Sequence, residues 1–171
     1  MSFIKVSPKD VKGNIIDLTG NDWMLITAGD AGGFNSMTAA WGAAGSLWGK
    51  DVAFCYIRPH RYTYDFMEAN DYYTLSFYPE KYRDLLGFSG TFGGKSGRDI
   101  DKVAESGFTP VYADCGAVYY EQAELVLVCK KIYADDVRPD KFTTPVPADM
   151  YPDRDYHRIY IGEIIEVLEK K

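Results

Sequence analysis

Apolar runs of strand length, punctuated by glycine, proline and asparagine, dominate the pattern of this chain. Asp22-Trp-Met-Leu-Ile-Thr-Ala reads as a strand, Gly29-Asp-Ala-Gly-Gly-Phe as a turn, and the residues from Ser36 as a second strand, which together predict a hairpin. Val52–Ile57 is a third, apolar strand with both faces expected to be buried. Tyr62, Phe66 and Ala69 then recur at i, i+4, i+7, the spacing of one helical face, up to a stop at Asn70-Asp71. Tyr72–Tyr78 is a fourth strand, Pro79 opens a helix running through Leu85-Leu86, and Ile100–Ala104 predicts another.

Two long β segments follow. In Ala123–Tyr133, Leu125, Leu127 and Cys129 share one parity and Val126 and Val128 the other. His157–Leu168 carries Ile159 and Ile161 on one parity and Ile164 on the opposite one, which predicts a bulge at Gly162-Glu163. Between them, Arg138–Asp155 holds Pro139, Pro145, Pro147 and Pro152 and is expected to be an extended surface connection. No repeat or linker divides the chain. The expectation is a single domain over residues 1–171, mainly β (α+β), a barrel with short helical insertions.

Composition narrows the function classes. A chain of 171 residues with 46% hydrophobic and 26% charged residues can bury its own core. A net charge of -6 disfavours nucleic acid and anionic membranes, because both demand clustered positive charge. Any phosphorylated ligand would therefore need a local basic pocket, and Arg58, Arg61 and the Lys95–Arg98 region could supply one. The chain lacks a secretory apolar core at its start and any apolar run of about 20 residues. Its three cysteines have no CxxC spacing, and Cys55 and Cys129 fall in apolar runs, as buried thiols in a reducing compartment would. A cytoplasmic protein is expected.

Four segments carry candidate chemistry. Asn35-Ser36-Met37-Thr38-Ala39-Ala40-Trp41 places small polar and apolar side chains on one extended stretch, so that a flat, hydrogen-bonding ring could approach backbone and hydroxyl groups. Ile57-Arg58-Pro59-His60-Arg61-Tyr62-Thr63 ends a strand at the entrance to a helix. There an arginine fork, free N–H groups and the helix dipole suit a phosphate, with Pro59 stiffening the turn. Arg58, Arg61 and Thr63 are the alternatives for that contact.

Ser89-Gly90-Thr-Phe-Gly-Gly-Lys95-Ser96-Gly-Arg98 nearly matches a nucleotide phosphate loop, but serine stands where the first glycine is required and no buried strand precedes it. A mobile glycine-rich loop bringing Lys95 to a phosphate or ring is the better reading. His157 heads the last long strand and could meet a cofactor or an incoming nicotinamide. His60 and His157 are the only histidines, and neither has the spacing of a metal site. No G-x-G-x-x-G occurs, so any NAD(P)H would bind transiently and not in a dinucleotide-binding domain.

These four segments, in this order, resemble the flavin reductase-like family, in its flavoredoxin branch, from about Asn21 to Leu168. The resemblance implies an FMN-binding split β-barrel and a homodimer with FMN in a groove at or near the dimer interface. It implies cofactor contacts at Asn35, Ser36, Met37, Thr38, Ala39 and Trp41, at Arg58, Pro59 and Thr63, at Ser89, Gly90, Lys95 and Ser96, and at His157. It also implies a cycle in which NAD(P)H reduces flavin and electrons pass to a free flavin or another acceptor. The cofactor carries that chemistry, so no catalytic residue is expected. A non-catalytic FMN electron carrier fed by a partner protein is the alternative. A pyridoxamine-phosphate oxidase-like enzyme would need a second phosphate pocket, which the sequence does not offer.

Overall fold

The computed structural model describes residues 2–145 and 150–171. The predicted position Pro147 lies outside the described residues. Ten strands and four short helices follow one another as β1 (Phe3–Val6), α1 (Ile15–Gly20), β2 (Met24–Asp30), β3 (Gly33–Ala39), β4 (Gly42–Leu47), β5 (Lys50–Ile57), α2 (Tyr62–Ala69), β6 (Tyr72–Phe77), α3 (Arg83–Leu86), α4 (Lys102–Ser106), β7 (Pro110–Tyr112), β8 (Val118–Tyr120), β9 (Leu125–Asp136) and β10 (Arg158–Lys170). Eight strands form one antiparallel sheet in the order β3-β2-β6-β9-β10-β5-β4, with β1 also on β10, while β7 and β8 pair separately. The predicted mainly β architecture is the observed one.

One apolar cluster joins Met24 and Ile26 of β2, Met37 of β3, Cys55 of β5, Tyr73 of β6 and Tyr160 of β10. Side chains from both ends of the sheet therefore share one interior, so the sheet curls into an open barrel with β3 and β4 as its edges. A second cluster lies on the outer face, where Leu25, Val126 and Val128 pack against Leu86, Phe92, Phe108 and Tyr120. Residues 79–123 are thus a cap folded over one side of the barrel. Of the strands between the two cores, β2 and β6 are buried on both faces along most of their length, and β9 over Val126–Cys129, for that reason.

The predicted hairpin forms, with Ile26 opposite Met37 and Ala28 opposite Asn35. β5 departs from the expectation of two buried faces: Phe54 and Tyr56 are only half-buried. On α2 the fully buried residues are Thr63 and Met67, whereas Ala69 is exposed. The helical period was legible, but Tyr62 and Phe66 form a wall of a cleft and not the core contact. From Pro79 the chain makes a single 3-10 turn, Glu80–Tyr82, before α3. β1, β4, β7, β8 and α1 were not anticipated.

The β9–β10 ladder breaks between Ile161 and Gly162 and again between Ile164 and Glu166. At the first break the extra residue is Ile132 of β9, so β10 keeps its parity and the interior-facing positions are Tyr160 and Ile164. The change of face on β10 comes at the second break, where Ile165 is skipped and Val167 turns inward. A break at Gly162 was predicted; the face switch belongs three residues later. Gly162 is needed where the ladder first slips, because a Cβ there would come within 2.4 Å of Tyr73 Oη and 2.8 Å of Cys129 Cβ. Gly162→Ala should therefore lower unfolding free energy by about 1–3 kcal/mol, as overpacking does. Adding Tyr73→Phe should recover part of that loss, which urea unfolding of both single variants and the double variant measures.

Candidate functional site

Three adjoining cavities lie along the β3 edge, between the barrel and the cap. The middle one, of about 200 Å³, is walled by Asn35, Arg61, Thr63, Lys95, Gly97 and Lys102. It shares Arg61 and Gly93 with a smaller one of about 100 Å³, whose walls include Trp23, Thr38, Ala39, Ala40 and Phe88. On its other side it shares Asn35, Tyr62, Gly97 and Lys102 with a third cavity of about 510 Å³.

Asn35 holds the middle cavity together. It is buried on β3, and its Nδ2 donates to Thr63 Oγ1 at 2.8 Å in the first turn of α2. Its Oδ1 lies so close to Gly97 that a Cβ there would sit 2.1 Å away. One amide thus pins strand, helix and cap loop in a fixed relation.

Lys102, in the first turn of α4, is the residue that the sequence reading missed. Its Nζ reaches back into the protein to donate to the carbonyl of Ser36 at 2.8 Å and to that of Phe92 at 3.4 Å. Burial, together with the nearby Arg61 guanidinium, lowers its pKa from 10.5 to about 8. Arg61 is itself lowered, first by burial and then by Arg58, and its hydrogen bond is a long one of 3.4 Å to the Gly93 carbonyl. Among the described residues neither cation is hydrogen-bonded or ion-paired to a carboxylate. One buried and one half-buried cation thus flank a single cavity with no carboxylate partner among the described residues, an arrangement whose charge suits an anion. A lysine in the first turn of a helix reads from sequence as solvated, so only the fold reveals this one.

The other cations are already engaged. Arg58 makes a two-point ion pair with Asp155, at 2.9 and 2.7 Å, and donates to the Met150 carbonyl. The sequence could not distinguish Arg58 from Arg61, and the structure points Arg58 at a residue 97 positions away. Lys95 lies at the middle cavity but pairs with Glu105 at 2.5 Å, and this bond, followed by that from Thr91, holds the Glu105 carboxyl below its usual range. Arg98 pairs with Asp65 at 2.7 Å.

The remaining predicted positions divide. Met37, Ser96 and Thr63 border the middle cavity, and Thr38 and Ala39 the small one. Thr38 Oγ1 is buried with no hydrogen-bond partner among the described residues, on a residue that borders the small cavity. Ser36 borders the third cavity, but its Oγ is engaged, bridging Thr27 Oγ1 at 2.8 Å and Tyr120 Oη at 2.9 Å. It therefore does not offer the expected hydroxyl, although its carbonyl orients Lys102.

Trp41 is 42% exposed and packs at 4.8 Å on His157, which is hydrogen-bonded through Nδ1 to Tyr151 Oη at 3.0 Å. Burial, then Arg58, lowers the His157 pKa to about 4, so it is neutral at pH 7. Neither residue borders any of the three cavities, and Pro59 and Ser89 are exposed at the surface.

The glycine-rich segment is a correction as well. A Cβ at Gly90 would lie 2.1 Å from the Asp84 carbonyl oxygen, at Gly93 2.2 Å from that of Gly87, and at Gly94 2.1 Å from that of Phe88. Phe92 is fully buried in the outer core. These glycines serve close backbone approach, not the slack that was expected of them.

Fold and cleft together define an open antiparallel barrel with a cation-lined cleft between its edge and its cap. Residues 19–171 match the flavin reductase like domain, and the chain belongs to that family. It is similar in fold to an FMN-binding domain of a flavin reductases-like enzyme from Shewanella baltica OS155 (18% identity, TM-score 0.69, covering 98% of this chain and 76% of that one). Similar too are the flavoredoxin of Desulfovibrio vulgaris (Miyazaki F) (22%, 0.66, 87% and 69%) and an NADH:FAD oxidoreductase of Streptomyces globisporus C-1027 (15%, 0.63, 87% and 75%). No curated protein matches the chain. Among the described residues no helix is long and apolar enough to cross a membrane.

The Lys102 environment has a pH signature. With its pKa lowered, the unfolded chain holds a proton that the native state lacks between about pH 8 and the ordinary 10.5. Stability from this group therefore rises with pH through that window and is lowest below it. Between pH 7.5 and 9.5 the ligand-free protein should gain on the order of 1–2 kcal/mol relative to Lys102→Met. Urea unfolding at the two pH values reads this difference, and parallel pH slopes would show the amine to be solvated.

Proposed function

We propose that the chain is a flavin-binding oxidoreductase that seats the phosphate of FMN on Arg61 and Lys102 and accepts reducing equivalents from NAD(P)H. The observation that carries this reading is buried Lys102 beside half-buried Arg61, neither with a carboxylate partner among the described residues, at a cavity in a family named for flavin reduction. The residues fit the cofactor. The N-terminal turn of α2 adds its dipole to the two cations at the phosphate. The unpartnered Thr38 Oγ1 suits the polar edge of the ring, and Trp23, Ala39 and Phe88 give it apolar walls. A bound flavin supplies two-electron redox chemistry; the protein's part is to bind, orient and desolvate it.

The proposal moves the main phosphate contact from Arg58 to Arg61 and keeps Lys95 as an outer contributor. Electrons would leave to a free flavin or another acceptor. The resemblance to flavoredoxins supports an electron carrier fed by a partner protein as the second reading. A homodimer is part of the proposal: the exposed Trp41 and Trp48 and the edge strand β4 suit a second copy.

Calorimetric titration with FMN and riboflavin tests the site. Arg61→Ala should weaken FMN by roughly 10- to 100-fold and riboflavin by less than threefold, since a charge-assisted bond contributes about 1.5–3 kcal/mol. Arg58→Ala should leave the ratio of the two affinities near that of wild type. Equal losses for both ligands in Arg61→Ala would remove it from the phosphate seat. Bleaching of bound flavin near 450 nm by NADH or NADPH separates the reductase from the carrier, which would stay oxidised.

A further inference from the structure

Lys102 can do more than carry charge. We propose that its amine is a nucleophile, and that the cleft captures a small anionic aldehyde on it as an imine while Arg61 holds the acid group of the same molecule. The inference goes beyond the flavin reading and does not depend on it. The argument begins with the four positions around Nζ. One is the bond to Cε, and two face the carbonyls of Ser36 at 2.8 Å and Phe92 at 3.4 Å. Among the described residues nothing is hydrogen-bonded at the fourth. A neutral amine keeps both N–H donors on those carbonyls and has its lone pair in the position left over. A carboxylate partner would hold the ammonium form by its charge; a carbonyl carries no charge to do so. Burial and the Arg61 guanidinium act in the same direction and lower the pKa to about 8. Desolvation beside a second cation is a recognised way to make a lysine nucleophilic.

The walls decide what such an amine meets. Lys102 is 7% exposed, but it lines both the middle and the third cavity, so a reactant reaches it through the cleft. Among the described residues no carboxylate lines the middle cavity, whereas Asp101 lines the third. An anion is therefore drawn to the middle cavity, where Arg61 spends only one long hydrogen bond on the Gly93 carbonyl. The space, about 200 Å³, suits a short molecule with its carbonyl a few bonds from a carboxylate or phosphate. In the reaction the Nζ lone pair forms a bond to the aldehyde carbon. Both amine protons then leave with the aldehyde oxygen as water, and C=N replaces C=O with nothing oxidised or reduced. Lys95 also lines this cavity, but its pairing with Glu105 at 2.5 Å holds it in the charged form, which makes it an internal comparison.

Glyoxylate and glyceraldehyde 3-phosphate present the two acid groups, and propionaldehyde presents neither. Each is incubated with the ligand-free chain and cyanoborohydride, which fixes an imine as a secondary amine, and the labelled lysines are mapped by peptide mass spectrometry. One of the anionic aldehydes should label Lys102 roughly tenfold faster than Lys95 or any other lysine, because each unit of lowered pKa gives about ten times as much neutral amine. The faster of the two identifies carboxylate or phosphate as the recognised group. Arg61→Ala should lower the ratio of that rate to the propionaldehyde rate at Lys102 by about tenfold, the scale of one charge-assisted bond. Labelling of Lys102 no faster than that of exposed lysines, equal rates with propionaldehyde, or an unchanged ratio in Arg61→Ala would overturn the inference. Protection of Lys102 by FMN would place both ligands on one amine. Labelling that FMN does not slow would leave the aldehyde site standing and remove Lys102 from the flavin seat.

Discussion

The site depends on one inward-reaching amine. Lys102 is drawn between the carbonyls of Ser36 on β3 and Phe92 in the cap, and this contact ties the barrel edge to the structure that covers it. The same residue that closes the back of the cleft also leaves a positive charge there, next to Arg61, with no carboxylate paired to it among the described residues. A fold selected for stability alone would place a carboxylate beside such a pair or turn the side chains outward. Retaining the charge weakens the ligand-free state and strengthens the liganded one, because a bound anion stabilises only the form that holds it. Stability and recognition are opposed at this position.

The two-core arrangement explains how the cleft comes to lie on an edge. β2, β6 and β9 are covered on both sides, by the barrel interior and by the cap, which leaves β3 as the last strand before the opening. The cap approaches β3 at Phe92, whose carbonyl also accepts from Thr38 N–H at 3.3 Å. Asn35 sets the width of the gap through its contacts to Thr63 and Gly97. Strand, helix and loop are thus held by buried polar contacts that resist sliding, a condition for presenting donors to a phosphate without reorganisation.

What the sequence disclosed and what it hid follow from the range of the interactions involved. Strands with a strong apolar pattern, such as β2 and β9, were legible because their burial is written in consecutive residues. β4, Gly-Ala-Ala-Gly-Ser-Leu, was not, because an edge strand of small residues has neither the propensity nor the pattern. The face switch in β10 was misplaced because the extra residue at Gly162 belongs to the neighbouring strand, which a one-strand parity count does not see. At the site, residues 35–40, 60–63 and 93–97 meet at the cleft, whereas Trp41 and His157 stand apart from it. Arg58 and Arg61 differ only in what they meet, Asp155 in one case and an unbalanced cavity in the other. Lys102 carries no local mark at all.

Gly90, Gly93 and Gly94 show the same limit in another form. Glycines in a row suggest slack when the chain is considered alone, since the residue admits more backbone conformations than any other. Here each meets a carbonyl of residues 84–88 so closely that a side chain has no place, and the segment is wound against α3 with Phe92 as its anchor. A wall built this way is stiff. Gly93 and Gly94 can therefore present backbone to a ligand at fixed distance, beside Arg61 and Lys102. The feature that looked like a hinge supplies the rigid side of the cleft, and the positive charge opposite it can be left unbalanced because the wall does not collapse onto it.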